Sequence, residues 1–325
     1  MAFTNASGYQ NLAQGNFTPQ IFSQKVQKFF RRASVVEDIT NTDYAGEIEN
    51  FGDTVKIIKE PTITVRDYAR GQTVDTQILA DDQITMTVDQ GSYFAFKVDD
   101  IEERQSHVNF EALATSSGAY SLKKNYDYNV LKFIYDNASD GTGAGTDASP
   151  IDGDAAVDTL ANLVSTLKKN LDKNDVPEEN RWLVAPPEFF EQLRKAGGKL
   201  SDQSVMNDGG ASQIRNGKVT DRPLFGFNMY SSNAIAVSGG SAASHTFGSA
   251  GSNEFAFVYG HMSGVATVNH IAKTELIRDP DSFADVVRGL HVFGRKILRS
   301  EAVQRGVITI AVSYTHLTLP TNREV

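Results

Sequence analysis

The sequence predicts an α+β fold, in which helices and strands are mixed without the regular strand–helix–strand alternation of a parallel sheet. Two segments carry most of this prediction. Apolar residues recur at helical spacing over residues 110–137, enough for about seven turns and a rod of about 40 Å. Residues 254–310 alternate apolar and polar side chains, which is typical of paired strands, and they bring no set of reactive groups together.

The composition is that of a globular protein of 325 residues, with 40% hydrophobic and 22% charged residues. This length corresponds to about two domains. The net charge of −9 argues against a dedicated nucleic-acid binder. The lack of cysteine excludes disulfides and thiolate chemistry and favours synthesis in a reducing cytoplasm. We expect neither secretion nor a membrane span, because no signal-peptide pattern and no sufficiently long apolar run are present.

The N-terminal region predicts an arm followed by a helix. Residues 1–17 are polar and have the composition of an extended arm without a core. Thr18 and Pro19 suit an N-cap and the first helical position, and apolar residues then recur at helical spacing to Phe30. The lysines and arginines of residues 25–32 favour a solvated face, with contact to DNA or an acidic partner as the alternative.

Residues 53–98 predict an excursion of strands around a polar tip. Strands are expected at residues 55–58, 62–65 and 84–88, with the tip between residues 66 and 83. A two-stranded hairpin without a packed face is marginal in water. We therefore expect this segment to need a neighbour.

The middle of the chain alternates helices, strands and glycine-rich loops. Gly118 should weaken the long helix by about 1 kcal/mol and leave room for a kink. The loop at residues 140–153 marks a domain boundary, and an amphipathic helix is predicted over residues 155–171. A buried strand, a proline-initiated helix, a strand ending in a turn and a surface insertion follow, at residues 181–185, 187–193, 214–235 and 238–252.

The last part of the chain predicts a hairpin, a turn and a further strand. Glycines at 260 and 264 lie between two alternating runs, residues 255–259 and 265–269, which suggests a glycine-hinged hairpin. A turn at residues 279–283 then leads into another alternating strand over residues 287–299.

We predict no catalytic, cofactor-binding or metal-binding residues. Complete phosphate-loop and nucleophile-elbow motifs are absent, and the glycines of the loop at 140–147 resemble a phosphate cradle only weakly. His261 and His270 are close enough in sequence to approach each other, but two strand histidines are more often structural than metal ligands. The carboxylates fit a helix N-terminus and a turn better than acid–base or calcium chemistry, at Asp99, Asp100, Glu102, Glu103, Asp279 and Asp281.

The order of these elements resembles the tailed-phage major capsid proteins of the HK97-like fold. The most similar parts are the runs at residues 182–195 (WLVAPPEFFEQLRK) and 214–235 (IRNGKVTDRPLFGFNMYSSNAI), and the turn at 276–283 (LIRDPDSF) and the strand at 288–303 (RGLHVFGRKILRSEAV) also carry the resemblance. The resemblance implies an N-terminal arm and amphipathic helix (1–50), an extended loop lying across an adjacent subunit (51–100), a spine helix with part of the peripheral domain (101–150), an axial domain (151–270) and returning peripheral strands (271–310).

The resemblance also implies a non-enzymatic protein that self-assembles through pentamers and hexamers into the icosahedral head of a phage. It implies a scaffolding protein, a portal and non-specifically held double-stranded DNA as partners, with assembly in the bacterial cytoplasm and a final location in the virion. We find no motif for covalent cross-linking. An encapsulin-like compartment shell and a soluble carboxylate-dependent hydrolase are the alternatives.

The C-terminal end is not expected to be native. Residues 312–321 (VSYTHLTLPT) match one reading frame of a transposase-end sequencing adapter, and neither helix caps nor a sustained periodicity is present. We therefore expect residues 311–325 to be translated adapter and the native terminus to be unknown.

Overall fold

The computed structural model describes residues 34–44, 54–61, 63–74, 76–78, 83–99, 110–156, 158–193, 223–235, 254–280 and 282–310. The predicted arm and basic helix (1–32), the insertion at 238–252 and the adapter-like end lie outside the described residues. None of the described helices is both long and apolar enough to cross a bilayer.

The described helices and strands are mixed along the chain, as the α+β prediction requires. The helices are α1 (Val36–Ile39), α2 (Phe110–Asn137), α3 (Thr159–Lys173) and α4 (Pro187–Leu193). The strands are β1 (Thr54–Ile58), β2 (Gln83–Thr87), β3 (Gln90–Asp99), β4 (Ser139–Asp140), β5 (Ile151–Asp152), β6 (Arg181–Ala185), β7 (Phe227–Ser231), β8 (Glu254–His261), β9 (Val265–Arg278), β10 (Ala284–Ile297) and β11 (Val303–Thr309).

These strands form three sheets within the described part of the chain. β1 and β2 are an antiparallel pair, and β3, β10 and β9 form an antiparallel sheet in that order. The largest sheet has the order β4-β11-β8-β6-β7, with β5 also paired to β11. Its β6–β7, β11–β4 and β11–β5 pairs are parallel, while β8 is antiparallel to both of its neighbours.

The largest sheet is buried on both faces. One face packs on α1 and α2 through a cluster that includes Trp182 and Val184, and the other packs on α3 and α4 through a cluster that includes Leu183 and Ala185. Successive residues of a strand point to opposite faces, so β6 supplies both cores. This explains why all five of its residues are buried and confirms the buried strand predicted at residues 181–185.

The three-stranded sheet packs one of its faces on α2. The ring of Phe94 in β3 lies against Gly118 of α2 and Gly289 of β10, where a Cβ atom would come within 2.9 Å and 2.3 Å of the ring. The helix continues through Gly118 from Phe110 to Asn137, so the glycine accommodates an aromatic ring from the sheet instead of producing a break.

The strand predicted at residues 62–65 is wrong for the residues that the structure describes. Residues 63–69 form no strand, and the side chains of Ile63 and Val65 are 71% and 92% exposed. Although apolar residues alternate here, no described strand lies beside them. A strand without a partner leaves its backbone hydrogen-bonding groups unpaired, so the alternation alone does not produce one. The helix predicted from residue 155 also begins later, at Thr159, after a turn in which the Thr159 hydroxyl accepts a hydrogen bond from the Ala156 amide.

The glycine-hinged hairpin predicted around Gly260 and Gly264 is also wrong. β8 pairs with β6 and β11, whereas β9 pairs with β10, so the short 3-10 helix at Met262–Gly264 carries the chain from one sheet to another. The glycines are required for close packing, because a Cβ at either position would come within 2.5 Å of Ala302 or Val303. The predicted turn after Arg278 does form a hairpin, between β9 and β10.

Candidate assembly surfaces

The histidines that the sequence singled out lie in structural positions or outside the described side chains. His261 ends β8 and caps the 3-10 helix: its Nδ1 accepts a hydrogen bond from the Ser263 amide at 3.1 Å and lies 2.8 Å from the Ser263 hydroxyl. The side chain of His270 is not among those described. Among the described residues, no group of three or more histidines and carboxylates has the geometry to hold a metal ion.

Of the carboxylates singled out by the sequence, the structure describes Asp99 and Asp279. Asp279 accepts hydrogen bonds from Lys97 Nζ at 2.5 Å and from the Ser282 hydroxyl at 2.7 Å, which orders the β9–β10 turn. Asp99 ends β3, and the remaining members of the two predicted clusters (Asp100, Glu102, Glu103 and Asp281) lie outside the described residues.

The glycine-rich loop at 140–147 packs on β11 and does not form an open phosphate cradle. Ala144 in this loop is fully buried, and its carbonyl accepts a hydrogen bond from the Val307 amide at 3.2 Å. Arg305 binds Asp140 at 2.7 Å and stacks on the ring of Tyr135, whose hydroxyl donates to Asp147. Burial raises the pKa of Tyr135, with the hydrogen bond to Asp147 as the next cause, so this hydroxyl stays protonated as a donor.

A partly buried histidine, His291, is expected to make the stability of the subunit pH-dependent. His291 packs between the rings of Tyr126 and Phe293, each with a centroid 5.3 Å away, and burial lowers its pKa below the usual 6.5. His291 therefore has a higher pKa in the unfolded chain than in the folded subunit, so the unfolded chain is protonated first as the pH falls. We expect the free energy of unfolding to fall as the pH drops below about 6.5, with the loss continuing to the lowered folded-state pKa.

Chemical denaturation of the unassembled subunit at pH 7.5 and 5.5 measures this effect. Burial also lowers the pKa of His261, so the loss should be reduced but not abolished in His291→Gln. An equal loss in His291→Gln and in the wild type would contradict the assignment to His291.

The first exposed apolar surface is the tip of the excursion between β1 and β2. We define the loop surface as six largely exposed side chains: Ile58, Ile63, Val65, Tyr68, Val74 and Ile78. The chain doubles back here, since the Thr64 amide donates to Gln77 Oε1 at 3.0 Å. The base of the excursion is different, because Val55 and Met86 are buried with Val268 and Val292 of the three-stranded sheet. The subunit thus anchors the base and leaves the apolar tip in water.

The second exposed apolar surface is the face of the three-stranded sheet opposite α2. We define the sheet surface as Tyr93, Ala95, Ile277, Val286 and Leu290, which the strand register places on one face. Tyr93 is 79% exposed, although aromatic side chains are costly to leave in water. An ion pair between Arg288 and Glu275, at 2.7 Å, crosses the same face. At the end of the hairpin, Phe283 is also exposed.

Several exposed apolar side chains on one surface are characteristic of proteins that bind other proteins. Sequence reasoning anticipated the loop surface from its lack of a packed face. It missed the sheet surface, because the alternation in residues 284–297 does not reveal which of the two strand faces is covered.

Comparisons with known proteins agree with this arrangement. A family model described as "Phage capsid protein" matches residues 81–306. A solved structure from Mycobacterium phage Che8 is 29% identical, with a TM-score of 0.74 over 90% of this chain and 98% of the other. The capsid structure of the cyanophage P-SCSP1u is 17% identical, with a TM-score of 0.66 over 90% and 93% of the two chains. The head structure of the Helicobacter pylori bacteriophage KHP40 is 9% identical, with a TM-score of 0.64 over 94% and 99%.

A search of curated proteins gave no match. The last two structures share the fold alone, whereas the family model covers well over half of the chain. The description of the family model favours a phage head over the encapsulin-like compartment and the hydrolase. A capsid subunit is expected to have a long helix, an excursion anchored at its base and exposed apolar surfaces, and this chain has all three. This chain belongs to the phage capsid protein family and is a major capsid protein with the HK97-like fold.

Proposed function

We propose that copies of this chain form the pentamers and hexamers of an icosahedral phage head, with the loop surface of each copy covered by an adjacent copy. The loop surface carries the proposal. A hairpin that lacks a packed face is marginal in water, yet this one presents Ile63, Val65 and Ile78 with at least 71% of each side chain exposed. An adjacent copy supplies the cover that the subunit itself lacks.

The sheet surface is the acceptor that best suits the loop surface. Both surfaces are apolar and belong to the same chain, so one kind of contact covers both. The Arg288–Glu275 pair gives the sheet surface polar groups that can meet the charged residues of the loop, such as Arg66 and Asp67. Each apolar side chain that becomes buried contributes about 1.5 to 3 kcal/mol before the costs of ordering.

The remaining parts of the proposal follow from the family. Residues 151–270 form the axial domain around the five-fold and quasi-six-fold axes, residues 101–150 and 271–310 the peripheral domain, residues 51–100 the extended loop, and residues 1–50 the arm. A scaffolding protein and a portal take part in assembly in the host cytoplasm. Double-stranded DNA is held without sequence specificity at the inner face of the finished virion, and no catalytic step is involved.

A triple substitution in the loop surface tests the proposal. We expect Ile63→Ser/Val65→Ser/Ile78→Ser to abolish closed particles under conditions in which the wild-type chain, supplied with its scaffolding protein, forms them. The physical reason is that each 1.4 kcal/mol lost at a contact lowers its association constant about tenfold, and three apolar side chains are removed at every such contact. Electron microscopy and size-exclusion chromatography measure the particles.

The subunit itself should be unaffected, because all three side chains are exposed in it. The control is Thr73→Ser/Thr76→Ser, which changes two exposed polar residues of the same loop and should leave the particle yield unchanged. Normal particles from the triple variant would refute the role of the loop surface. A large fall in the melting temperature of the unassembled triple variant would show that these side chains pack within their own subunit.

A further inference from the structure

A tight turn before β7 holds an aromatic residue in an unfavourable backbone conformation. Leu224 and Phe227 exchange two backbone hydrogen bonds of 2.9 Å, which closes a two-residue turn at Phe225 and Gly226. The φ angles of these two residues are +51° and +83°. Positive φ at both central positions is the pattern of a type I′ turn, for which Asn-Gly is strongly preferred.

Phenylalanine is out of place at such a position. A positive φ brings the Cβ atom of an ordinary residue close to its own backbone, so bulky residues rarely adopt it. The other two non-glycine residues with positive φ in the described part of the chain are Asp175 and Asn180, both of residue types that tolerate this conformation. Phe225 therefore carries backbone strain that an asparagine would relieve.

Much of this aromatic side chain stays exposed in the subunit. The flanking residues anchor the turn, since Phe227 is fully buried and Leu224 packs against the core between the largest sheet and α3 and α4. Phe225 itself is 40% exposed. A strained side chain that stays partly in water is favoured if it is covered by a contact outside its own subunit, and the neighbours in the plane of a capsid shell are further copies of the same chain.

We propose that Phe225 is an aromatic anchor that inserts into an apolar site on a second copy of this chain. Buried aromatic residues at the centre of interfaces contribute a disproportionate share of the binding free energy. The turn leads into β7, which stands at the end of the strand order of the largest sheet in the described residues, so Phe225 lies at a boundary of the core and not within it. This inference rests on the shell-forming function and adds to it a contact separate from the loop surface.

Phe225→Asn separates the two effects of the residue. Asparagine suits the turn, so the melting temperature of the unassembled subunit should rise by about 2 to 4 °C. The yield of closed particles should fall at least tenfold, because the anchor is lost. Phe225→Tyr retains an aromatic ring and should assemble normally. Asp175→Asn, at an exposed position with a φ of +55°, is the matched control and should leave the particle yield unchanged.

Photo-cross-linking identifies the contact directly. Replacing Phe225 with the photoreactive p-benzoyl-phenylalanine and irradiating assembled particles should give a band of twice the subunit mass, which irradiated unassembled subunits should not give. A fall in the melting temperature of Phe225→Asn, normal particles from that variant, or irradiated particles without the double-mass band would each overturn the inference while leaving the shell function intact. A wild-type chain that forms no particles at all would instead overturn the proposed function and this inference with it.

Discussion

Trp182→Ala is expected to lower the free energy of unfolding of the subunit by about 3 to 5 kcal/mol. Trp182 is the second residue of β6, is 1% exposed, and belongs to the core between the largest sheet and α2. Truncation removes most of a large apolar side chain and leaves a cavity that the strands on either side, β7 and β8, prevent from collapsing. Chemical denaturation of unassembled subunits, followed by circular dichroism, measures the loss.

Trp182→Phe is the matched variant. The indole Nε1 is buried without a hydrogen-bond partner in the described part of the chain, so phenylalanine removes an unsatisfied donor while keeping most of the ring. We expect it to cost less than about 2 kcal/mol. If Trp182→Ala cost no more than Trp182→Phe, the core beneath α2 would be far more adaptable than its burial indicates.

Arg181→Leu is expected to cost about 3 kcal/mol, for an electrostatic reason. Although it is charged, Arg181 is 1% exposed. Its guanidinium donates to Asp172 Oδ1 at 2.6 Å and to the carbonyls of Val176 and Pro177 at 2.5 and 2.8 Å, which ties the segment after α3 to β6. Leucine fills the space but leaves these acceptors unpaired. The Asp172 side chain is 42% exposed and can regain water, which keeps the cost below that of breaking a fully buried pair.

Arg181→Lys tests whether geometry matters as well as charge. Lysine carries the charge but lacks the planar arrangement of donors that reaches three acceptors at once. We expect its stability to lie between those of the wild type and Arg181→Leu. Hydrogen exchange of the amides in residues 174–180 should rise in the order wild type, Arg181→Lys, Arg181→Leu. If Arg181→Leu were within about 1 kcal/mol of the wild type, these hydrogen bonds would not stabilise the fold.

The sequence predicted elements whose pattern is local and sustained. The periodicity of residues 110–137 extends over seven turns, and the structure forms α2 with the same bounds. The five apolar or long residues of β6 predicted a strand covered on both faces, as found. In these segments the covered faces follow directly from the spacing of the apolar side chains.

Strand pairing could not be predicted in the same way. The alternation on either side of Gly260 and Gly264 identifies two strands, but alternation does not specify a partner, and β8 and β9 pair in different sheets. The glycines resembled a hairpin turn, whereas their role is to allow residues 302 and 303 to pass closely. That contact joins segments about 40 residues apart, so it cannot be predicted from the local sequence around the glycines.

The candidate assembly surfaces were predictable in part. The need of the loop surface for a neighbour follows from the instability of an isolated hairpin, and the structure confirms that its apolar tip is exposed. The strain at Phe225 could not be predicted from the sequence, because Phe-Gly is not a recognised turn signal. Hydrophobic periodicity also carries no information about the φ angle of a single residue.

The position of α2 gives the subunit a mechanical property. Towards its start, Gly118 receives a ring from the three-stranded sheet, and towards its end Leu131 and Ile134 belong to the core of the largest sheet. The helix therefore contacts both the three-stranded sheet and the largest sheet. We therefore expect a rotation of one sheet to be transmitted to the other through this helix, so that a load from one neighbouring subunit reaches the next.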